Sequence, residues 1–238
     1  MILAAGLGTR LRPLTDETPK ALIEVGGRTL LDRVGERLVE AGADRLVVNV
    51  HHHAERVIRF VEEWDVGVEV RISREEPNVL ETGGGLLHAR RHFREDAPFF
   101  LHNVDVLSTA DLGAMYGVHR SRGHLATLAV GSRDTARLLL FDERGLYGRQ
   151  RAEGRRERVR DPVGQTRELG FNGIHVVDPR IFSLMDQERG RFSIISVYMR
   201  LAGLGERIAP WNVGEAAWMD VGTPERLARA RSLFGAES

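Results

Sequence analysis

Hydrophobic positions along the first half of the chain follow two spacings, which predict alternating strands and helices. The run Leu46–Val50 has the β-branched enrichment of a buried strand, whereas Thr29–Ala41 carries apolar residues at helical spacing and is closed by Gly42. The same patterns predict strands at Met1–Ala5, Val66–Ile72, Pro98–Asn103 and Leu125–Val130, and helices at Ala54–Glu63, Thr82–His92 and Asp111–Ser121. This alternation is typical of a largely parallel sheet with helices on both faces.

After Gly131 the apolar runs become shorter. Strands are predicted at Leu138–Phe141, Leu146–Gly148 and Gly173–Val177, and helices at Ile194–Leu204 and Pro224–Leu233, the last with Thr223 as its N-cap. Between them lies the polar, arginine-rich segment Arg149–Arg167, which is either a flexible flap or an exposed hairpin. The pattern does not distinguish these two forms.

Composition excludes several classes of protein. The chain has 238 residues, 42% of them hydrophobic, enough to bury the core of one domain. Its 34 basic and 34 acidic residues balance, which argues against a nucleic-acid partner. No apolar run approaches the roughly 20 residues that span a bilayer, so we expect no membrane partner. No cysteine is present, which excludes disulfides and thiolate ligands, and we expect a cytoplasmic protein.

Lys20 is the only lysine among the 34 basic residues. A general drift toward arginine should spare a lysine only where a compact ammonium on a flexible stem is needed. Lys20 also stands close to the glycine-rich segment at positions 6–8, which makes it a candidate for a specific role.

The glycine-rich segment Gly6–Pro13 directly follows the first predicted strand. Glycines there allow backbone N–H groups to approach phosphate closely. Leu11 stands where a dinucleotide-binding fingerprint has its third glycine, and Pro13 interrupts the helix expected next. A Gly-Lys-Ser/Thr phosphate loop is absent as well. The segment carries Arg10 and Arg12 instead, which with Lys20 suit a triphosphate or a pyrophosphate leaving group.

The segment "LAAGLGTRLRPLTDETPKALIEVGGRTLLD" resembles the signature of sugar-1-phosphate nucleotidyltransferases. Further motifs of that family correspond to Leu80–Gly85, Asp105, Phe171–Ile174 and Trp218–Pro224. The resemblance is strongest to N-acetylmuramic acid 1-phosphate uridylyltransferases, with mannose- and heptose-1-phosphate guanylyltransferases as near relatives. It implies a three-layer α/β/α, Rossmann-like fold of the GT-A type with a mostly parallel, mixed central sheet. It also implies one domain over 1–238, with a nucleotide-binding half (1–130), a sugar-binding half (131–238) and no C-terminal β-helix domain.

The resemblance also implies roles for individual residues. Arg10 and Lys20 would be catalytic and bind phosphates, and Asp105 and Asp220 would hold Mg²⁺ as the cofactor, an arrangement that carboxylates and phosphate oxygens suit. The nucleotide-binding residues would be Leu3, Ala4, Ala5, Gly6, Gly8, Thr9, Glu75, Thr82 and Gly83. The sugar-binding residues would be Glu81, Asn172 and Gly173.

The chemistry implied by the resemblance needs no general base, because the attacking sugar phosphate is already anionic. Catalysis then consists of positioning and charge neutralisation. The substrates would be a nucleoside triphosphate and a sugar 1-phosphate, and the protein a monomer or homodimer. A catalytically silent nucleotide-sugar sensor and a dinucleotide-dependent oxidoreductase are the alternatives, the second disfavoured by Leu11 and Pro13.

Two departures from the family pattern concern the substrate. Val104 stands before Asp105 where the family has a small residue, and a β-branched side chain there is expected to crowd the nucleotide. No Glu-Lys-Pro segment is present, and Arg160-Asp161-Pro162 is a poor substitute.

Other conspicuous residues have simpler interpretations. His51–His53 is expected to be a strand end that runs into a helix, because consecutive extended residues point to opposite faces and cannot easily chelate one ion. Glu75 and Glu76 are expected to be solvated charges if they do not contact the base. Trp211 and Trp218 are expected to belong to the core or to an interface.

Overall fold

The fold is given by a computed structural model that describes residues 1–133, 135, 137–152 and 154–235. Its strands are β1 Ile2–Leu3, β2 Glu24–Val25, β3 Arg28–Thr29, β4 Arg45–Val50, β5 Glu69–Arg74, β6 Phe99–Asn103, β7 Val106–Ser108, β8 Ala126–Gly131, β9 Leu138–Asp142, β10 Gly145–Gln150, β11 Arg156–Arg158, β12 Arg167–Val177, β13 Ile208–Asn212 and β14 Trp218–Asp220. Its α-helices are α1 Leu14–Glu17, α2 Leu30–Glu40, α3 Ala54–Glu63, α4 Glu81–His88, α5 Leu112–Arg122, α6 Ile181–Leu184, α7 Ile194–Gly203 and α8 Pro224–Phe234.

The central sheet is mixed, as predicted. Its order is β11-β10-β9-β12-β6-β1-β4-β5, with β8 paired to β12 and β13 paired to β8. The pairings β6-β1-β4-β5 and β8-β13 are parallel. The pairings that join β9, β10, β11, β6 and β8 around the long strand β12 are antiparallel. The parallel pattern inferred from the first half of the chain therefore stops at β12.

Two hydrophobic clusters lie on opposite faces of this sheet. Val48 and Val50 of β4 join the cluster beneath α2, α3 and α8, whereas Val47 joins the cluster beneath α4, α6 and α7. This separation follows from the alternation of side chains along a strand. The three-layer α/β/α arrangement is thereby confirmed.

The arginine-rich segment Arg149–Arg167 begins as a hairpin in which β10 pairs antiparallel with β11. Below the hairpin, Arg160 donates to both carboxylate oxygens of Asp142 at 2.6 and 2.8 Å, and the side chain of Asp142 is fully buried. Burial alone would raise the pKa of Asp142. Hydrogen bonds from Arg160 and from the N–H groups of Val163 and Arg144 outweigh that effect and lower its pKa to about 2. Arg160 is therefore an anchor of the hairpin.

Predicted helices and strands agree with the structure to within a few residues, and short strands account for most of the differences. Thr223 caps α8 as predicted, accepting the N–H of Arg226. Six short strands were not predicted, namely β2, β3, β7, β11, β13 and β14, and the four-residue helices α1 and α6 were not predicted either. Within the described part of the chain, no helix is long and apolar enough to cross a membrane.

Candidate active site

Two cavities meet at the carboxyl edge of the parallel strands, where ligands bind in open α/β sheets. The smaller has a volume of about 450 Å³ and the larger about 860 Å³. Both are lined by Arg10, Asn103, Asp105 and Ser193. A ligand in one cavity can therefore reach a ligand in the other beside Arg10 and Asp105.

The smaller cavity contains most of the residues predicted to bind nucleotide. Its lining includes Leu3, Ala4, Ala5, Gly6, Gly8, Thr9, Glu75 and Thr82, together with Lys20 and Val104. Glu81, predicted for the sugar pocket, lines this smaller cavity instead. Val104 is only 4% exposed and packs in the core, so that it contributes a rigid part of the wall.

Glu75 is a buried carboxylate, so the expectation that it is solvated was wrong. It is 1% exposed and accepts hydrogen bonds from Asn49 Nδ2 at 2.6 Å and from the Leu80 N–H at 2.7 Å. Asn49 in turn accepts the N–H of Ala4 at 2.7 Å. The chain of bonds ties the end of β1 to the segment that precedes α4, and Glu75 therefore shapes the cavity wall. The sequence does not predict this burial, because Glu75 follows the end of β5 and its partners lie in other segments of the chain.

The glycines of α4 allow a distant segment to lie directly on the helix. The N–H groups of Gly83 and Gly84 donate to the Phe192 carbonyl at 2.9 and 3.2 Å, and Thr82 Oγ1 accepts the Ile194 N–H. A Cβ on Gly83 would lie 2.5 Å from the Phe192 ring, and one on Gly84 would lie 2.4 Å from the Gly190 carbonyl oxygen. Gly83, predicted to bind nucleotide, lines neither cavity and is buried against Phe192 instead.

A two-stranded ribbon brings together the two predicted metal ligands, which lie far apart in the sequence. β7 pairs antiparallel with β14, so that Asp220 lies opposite Val106, and the Val221 N–H donates to the Asp105 carbonyl at 2.7 Å. Asp105 and Asp220 both line the larger cavity. The sequence predicted the aspartates but not the ribbon that pairs them.

Cations lie against both aspartates. Lys20 Nζ bonds Asp105 Oδ2, and Arg226 donates to Asp220 Oδ2 at 2.9 Å. Asp220 Oδ1 is buried and has no hydrogen-bond partner in the part of the chain that is described. A Cβ on Gly222 would lie 2.5 Å from Asp220 Oδ1 and 2.7 Å from a terminal guanidinium nitrogen of Arg10, so this glycine allows Arg10 to approach Asp220. We call Arg10, Lys20, Asp105 and Asp220 the reacting centre.

Arg12 stands apart from the reacting centre. Its guanidinium pairs with Asp16 at 3.0 Å on the exposed surface, and it lines neither cavity. Of the three cations that the sequence placed around the glycine turn, only Arg10 and Lys20 reach the cavities.

The larger cavity is lined by Asn172 and Gly173, two of the residues predicted to bind the sugar. Asn172 is 1% exposed, and its Oδ1 is buried without a hydrogen-bond partner among the described residues. Gly173 has φ 80°, and a Cβ there would lie 2.9 Å from both Asn103 and Val106. Trp218 donates to the Asn172 carbonyl at 2.8 Å and lines this cavity while packing against the core.

Besides Arg226, five arginines of the larger cavity were not predicted to be site residues, and we call these five the distal arginines. They are Arg133, Arg137, Arg149, Arg151 and Arg155. Arg133 stacks over Trp218 at 3.8 Å, and burial lowers the pKa of its guanidinium, an effect that Asp220 opposes. The density of arginine between positions 149 and 167 was the available signal, but the sequence does not show which side of a hairpin faces a cavity.

The His51–His53 segment is a strand end that runs into a helix, as predicted. β4 ends at Val50, and His53 precedes α3 in a left-handed conformation with φ 52°. The His51 ring bonds the Glu75 carbonyl at 2.9 Å.

Comparison with known proteins identifies the family. Residues 1–236 match the family described as nucleotidyl transferase. The chain belongs to that family. This nucleotidyltransferase is 35% identical to the N-acetylmuramate alpha-1-phosphate uridylyltransferase of Caulobacter vibrioides, over 98% of the chain and 95% of that protein. It is 29% identical to a probable mannose-1-phosphate guanylyltransferase 1 of Oryza sativa, covering 98% of the chain but 64% of that protein.

The fold of this nucleotidyltransferase recurs in a solved structure. The UDP-glucose pyrophosphorylase of Acinetobacter baumannii superposes with a TM-score of 0.81 at 19% identity, over 99% of the chain and 92% of that protein. The expected GT-A-like fold and the expected enzyme class are both confirmed.

Proposed function

We propose that this nucleotidyltransferase transfers a uridylyl group from UTP to N-acetylmuramic acid 1-phosphate, with Mg²⁺, and releases pyrophosphate. The observation that carries the proposal is the junction of the two cavities at the reacting centre. A nucleoside triphosphate in the smaller cavity and a sugar 1-phosphate in the larger one would meet there.

The proposed reaction is an in-line displacement. A phosphate oxygen of the sugar 1-phosphate forms a bond to the α-phosphorus of the triphosphate, while the bond from that phosphorus to the bridging oxygen of pyrophosphate breaks. The electron pair leaves with pyrophosphate, and no proton needs to move. Arg10 and Lys20 neutralise the phosphates as charge develops, which is the contribution expected of preorganised cations.

Asp105 and Asp220 fit a magnesium ion. Asp220 is the last residue of β14, Asp105 directly precedes the paired strand β7, and Asp220 Oδ1 is a buried acceptor without a partner among the described residues. No group of three or more His, Asp or Glu suited to a metal occurs in that part of the chain, which suits a cation that also takes phosphate oxygens as ligands. When bound, Mg²⁺ would neutralise phosphate charge.

The proposal includes the assignment of nucleotide binding to residues 1–130 and of sugar binding to residues 131–238. Residues 1–130 supply most of the smaller cavity, and residues 131–238 supply most of the larger one, with Ser193 and Gly222 crossing into the smaller cavity. In Arg160-Asp161-Pro162, the poor substitute for a Glu-Lys-Pro segment, the side chain of Arg160 is paired with Asp142. A cytoplasmic location and a monomeric or homodimeric state stay predictions.

The choice of substrates rests on similarity. The uridylyltransferase relative is the more identical of the two compared and matches over nearly its whole length. Guanylyl transfer to mannose 1-phosphate is the second candidate, supported by relatives of which the chain spans about 64%.

The test is pyrophosphate release with Mg²⁺ across UTP, GTP, CTP, ATP and dTTP, each with N-acetylmuramic acid, glucose, mannose and heptose 1-phosphates. We expect turnover to require UTP and N-acetylmuramic acid 1-phosphate. Turnover that requires GTP and a mannose or heptose 1-phosphate would replace the proposed substrates. Folded protein that binds nucleotide but releases no pyrophosphate with any pair would identify a sensor instead of an enzyme.

A further inference from the structure

The larger cavity carries more positive charge than a single phosphate accounts for. Among the described residues, its lining includes seven arginines and two aspartates, and each aspartate already lies against a cation at the reacting centre. Arg10 and Arg226 lie beside Asp220, which also acts on Arg133, so that the two aspartates do not account for the other four distal arginines. A concentration of like charge in a concave wall raises the local concentration of anionic ligands.

Within the described part of the chain, the ion pairs around the distal arginines compensate only part of this charge. Arg149 and Arg151 share one carboxylate, that of Glu157, at 2.9 and 2.7 Å. The guanidinium groups of Arg137 and Arg155 make no ion pair or hydrogen bond with any described residue. Both side chains are on exposed residues of the cavity wall and can therefore move to meet a ligand.

The hairpin that presents Arg149, Arg151 and Arg155 is held in place. Arg149 is paired across the hairpin with Glu157, and the Val159 N–H donates to the Tyr147 carbonyl at 3.0 Å. Tyr147 is 4% exposed, and Gly203 of α7 lies so close that a Cβ on it would be 3.2 Å from the Val159 carbonyl oxygen. With Arg160 bound to Asp142 beneath, the hairpin is a fixed wall that holds its cations over the cavity.

We propose that the distal arginines form an anion subsite that selects a sugar 1-phosphate bearing a second negatively charged group, a carboxylate or a second phosphate, away from its anomeric carbon. Arg137 and Arg155 bind that group directly, since planar guanidinium groups suit both carboxylate and phosphate. Arg149 and Arg151, tied to Glu157, maintain the positive field behind it. This inference rests on the proposed transfer to a sugar 1-phosphate, and it specifies that the sugar carries a second negatively charged group.

The test compares matched sugars on the wild-type enzyme and on the variant R137A/R155A, with UTP saturating. The acidic and neutral pair is N-acetylmuramic acid 1-phosphate and N-acetylglucosamine 1-phosphate, which differ by the lactyl carboxylate group. We expect the variant to lose at least about 10-fold in kcat/KM for the acidic sugar, the change to which 1.4 kcal/mol corresponds. The value for the neutral sugar and the KM for UTP should stay within about 2-fold, since loss of one charge-assisted contact affects only the ligand that makes it.

The control variant is R158A. Arg158 lies on β11 of the same hairpin and is exposed, but it does not line the cavity. R158A removes one positive charge from the hairpin, as each substitution in R137A/R155A removes one from the cavity wall. We expect kcat/KM for both sugars to stay unchanged in R158A. Equal loss for both sugars in R137A/R155A, or equal loss in R158A, would overturn the proposal. A rise in the KM for UTP alone would do so as well, because the arginines would then serve the nucleotide.

A second pair of sugars tests whether the subsite binds a carboxylate or a second phosphate. Glucose 1,6-bisphosphate and glucose 1-phosphate differ by a second phosphate. A larger variant effect on the bisphosphate than on the lactyl sugar assigns the subsite to a second phosphate, and the reverse assigns it to a carboxylate. An effect on neither overturns the subsite.

Failure of the proposed function can be told apart from failure of the subsite. If the wild-type enzyme turns over no sugar, titration calorimetry with N-acetylmuramic acid 1-phosphate, without nucleotide, tests the subsite alone. Binding to the wild type that is weakened at least about 10-fold in R137A/R155A but retained in R158A supports the subsite even then. No binding to the wild type overturns it.

Discussion

At the scale of single residues, the charges of the reacting centre are already paired within the protein. Lys20 bonds Asp105, and Arg226 bonds Asp220, while Asp220 Oδ1 is left without a partner among the described residues. In the proposed reaction, Asp105 and Asp220 would hold the metal ion, and Lys20 would bind phosphate in place of Asp105. Removing only one member of such a set leaves the other charge uncompensated.

We therefore expect Lys20→Ala to lower kcat about 100-fold or more, because a preorganised cation at the developing charge is lost. Lys20→Arg should recover little of this, since a guanidinium is larger and less flexible than an ammonium. Steady-state kinetics check both variants. Arg12→Ala is the control, because Arg12 comes from the same segment but pairs with Asp16 at the surface, and its kcat should stay within about 2-fold of wild type. Normal turnover of Lys20→Ala would remove Lys20 from the reacting centre.

Single residues that belong to a motif could be predicted, whereas those assembled by the fold could not. Arg10, Lys20, Asp105, Asp220 and the residues of the first loop were predicted from the sequence, and all line the cavities. The roles of Glu75 and Gly83 depend on partners far along the chain, the first on Asn49 and the second on Phe192. These contacts depend on how distant segments pack in the fold, and the local sequence around Glu75 or Gly83 does not predict them.

At the scale of elements, α4 owes its position to glycines. Two of its N–H groups are satisfied by the Phe192 carbonyl, which can approach because Gly83 and Gly84 have no side chain. The segment from Gly190 to Ser193 is thereby fixed against the helix, and Ser193 is one of the residues that line both cavities.

Gly84→Ala is expected to destabilise the protein by about 1 to 3 kcal/mol, because the new Cβ would lie 2.4 Å from a backbone oxygen that cannot move without the whole segment. Gly117→Ala supplies the matched control. Gly117 is also inside a helix, α5, but a Cβ there meets nothing within 4 Å. This second substitution should stabilise the protein by about 0.5 to 1 kcal/mol. Urea unfolding of both variants measures the free energies, and a destabilisation of equal size in the two would contradict the close-approach explanation.

The hairpin of β10 and β11 depends on one buried ion pair. Arg160→Ala leaves the carboxylate of Asp142 buried with only backbone donors, and we expect a loss of about 3 kcal/mol in the free energy of unfolding. Arg158→Ala, on the exposed side of the hairpin, should cost less than about 0.5 kcal/mol. Chemical denaturation at pH 7 distinguishes the two, and equal stability of both variants would show that the pair does not anchor the hairpin.

Elements with strong periodicity could be predicted, and those held by pairing alone could not. α3 was predicted from its sequence with the bounds Ala54–Glu63 that it has in the structure. β7 and β14 are three residues each, too short for a recognisable alternation, and they exist because each satisfies the backbone of the other. The sequence did not decide between a flexible flap and a hairpin for the arginine-rich segment, because its polar composition is compatible with both.

At the scale of the whole molecule, the core on both faces of the sheet includes histidines that are held neutral. Burial lowers the pKa of His102 to about 4, of His119 to about 4 and of His175 to about 3. Each is hydrogen-bonded inside the protein, to the Asn103 carbonyl, Thr127 and Tyr198 respectively. The unfolded chain would bind protons at these positions near pH 6.5, whereas the folded chain would not.

Stability should therefore fall as pH drops through 6.5. The unfolded state takes up more protons than the folded state between pH 6.5 and the lowered pKa values, so acid favours unfolding. Each histidine should contribute about 1.4 kcal/mol to the loss between pH 7.5 and 5.5, or about 4 kcal/mol for the three. Asp142, with its pKa near 2, adds a loss only below about pH 4, because its carboxylate stabilises the fold at all higher pH values.

Urea unfolding at pH 7.5 and 5.5 measures this dependence. His119→Gln should reduce the difference between the two pH values by about 1.4 kcal/mol. His52→Gln is the control, since His52 is not among the fully buried residues and should leave the difference unchanged. A wild-type difference near zero would contradict the neutral, buried state of the three rings.

The three-layer architecture could be predicted from the alternation of elements, but the pairing of the second half of the sheet could not. β12 is a single strand of 11 residues that contacts β9, β8 and β6 in turn, and only its last five residues were predicted. A bent strand with several partners has no local signature, because its two halves face different neighbours.

The ribbon of β7 and β14 has a consequence for protein synthesis. Asp105 leaves the ribosome more than a hundred residues before Asp220, and until β14 arrives β7 has no partner strand. The nascent chain can complete its glycine-rich segment early, yet over the next stretch of translation after Asp105 it holds only one of the two proposed metal ligands. The proposed pair of carboxylates is therefore complete only after Asp220 has been synthesised, so we expect no turnover from a nascent chain that stops before β14.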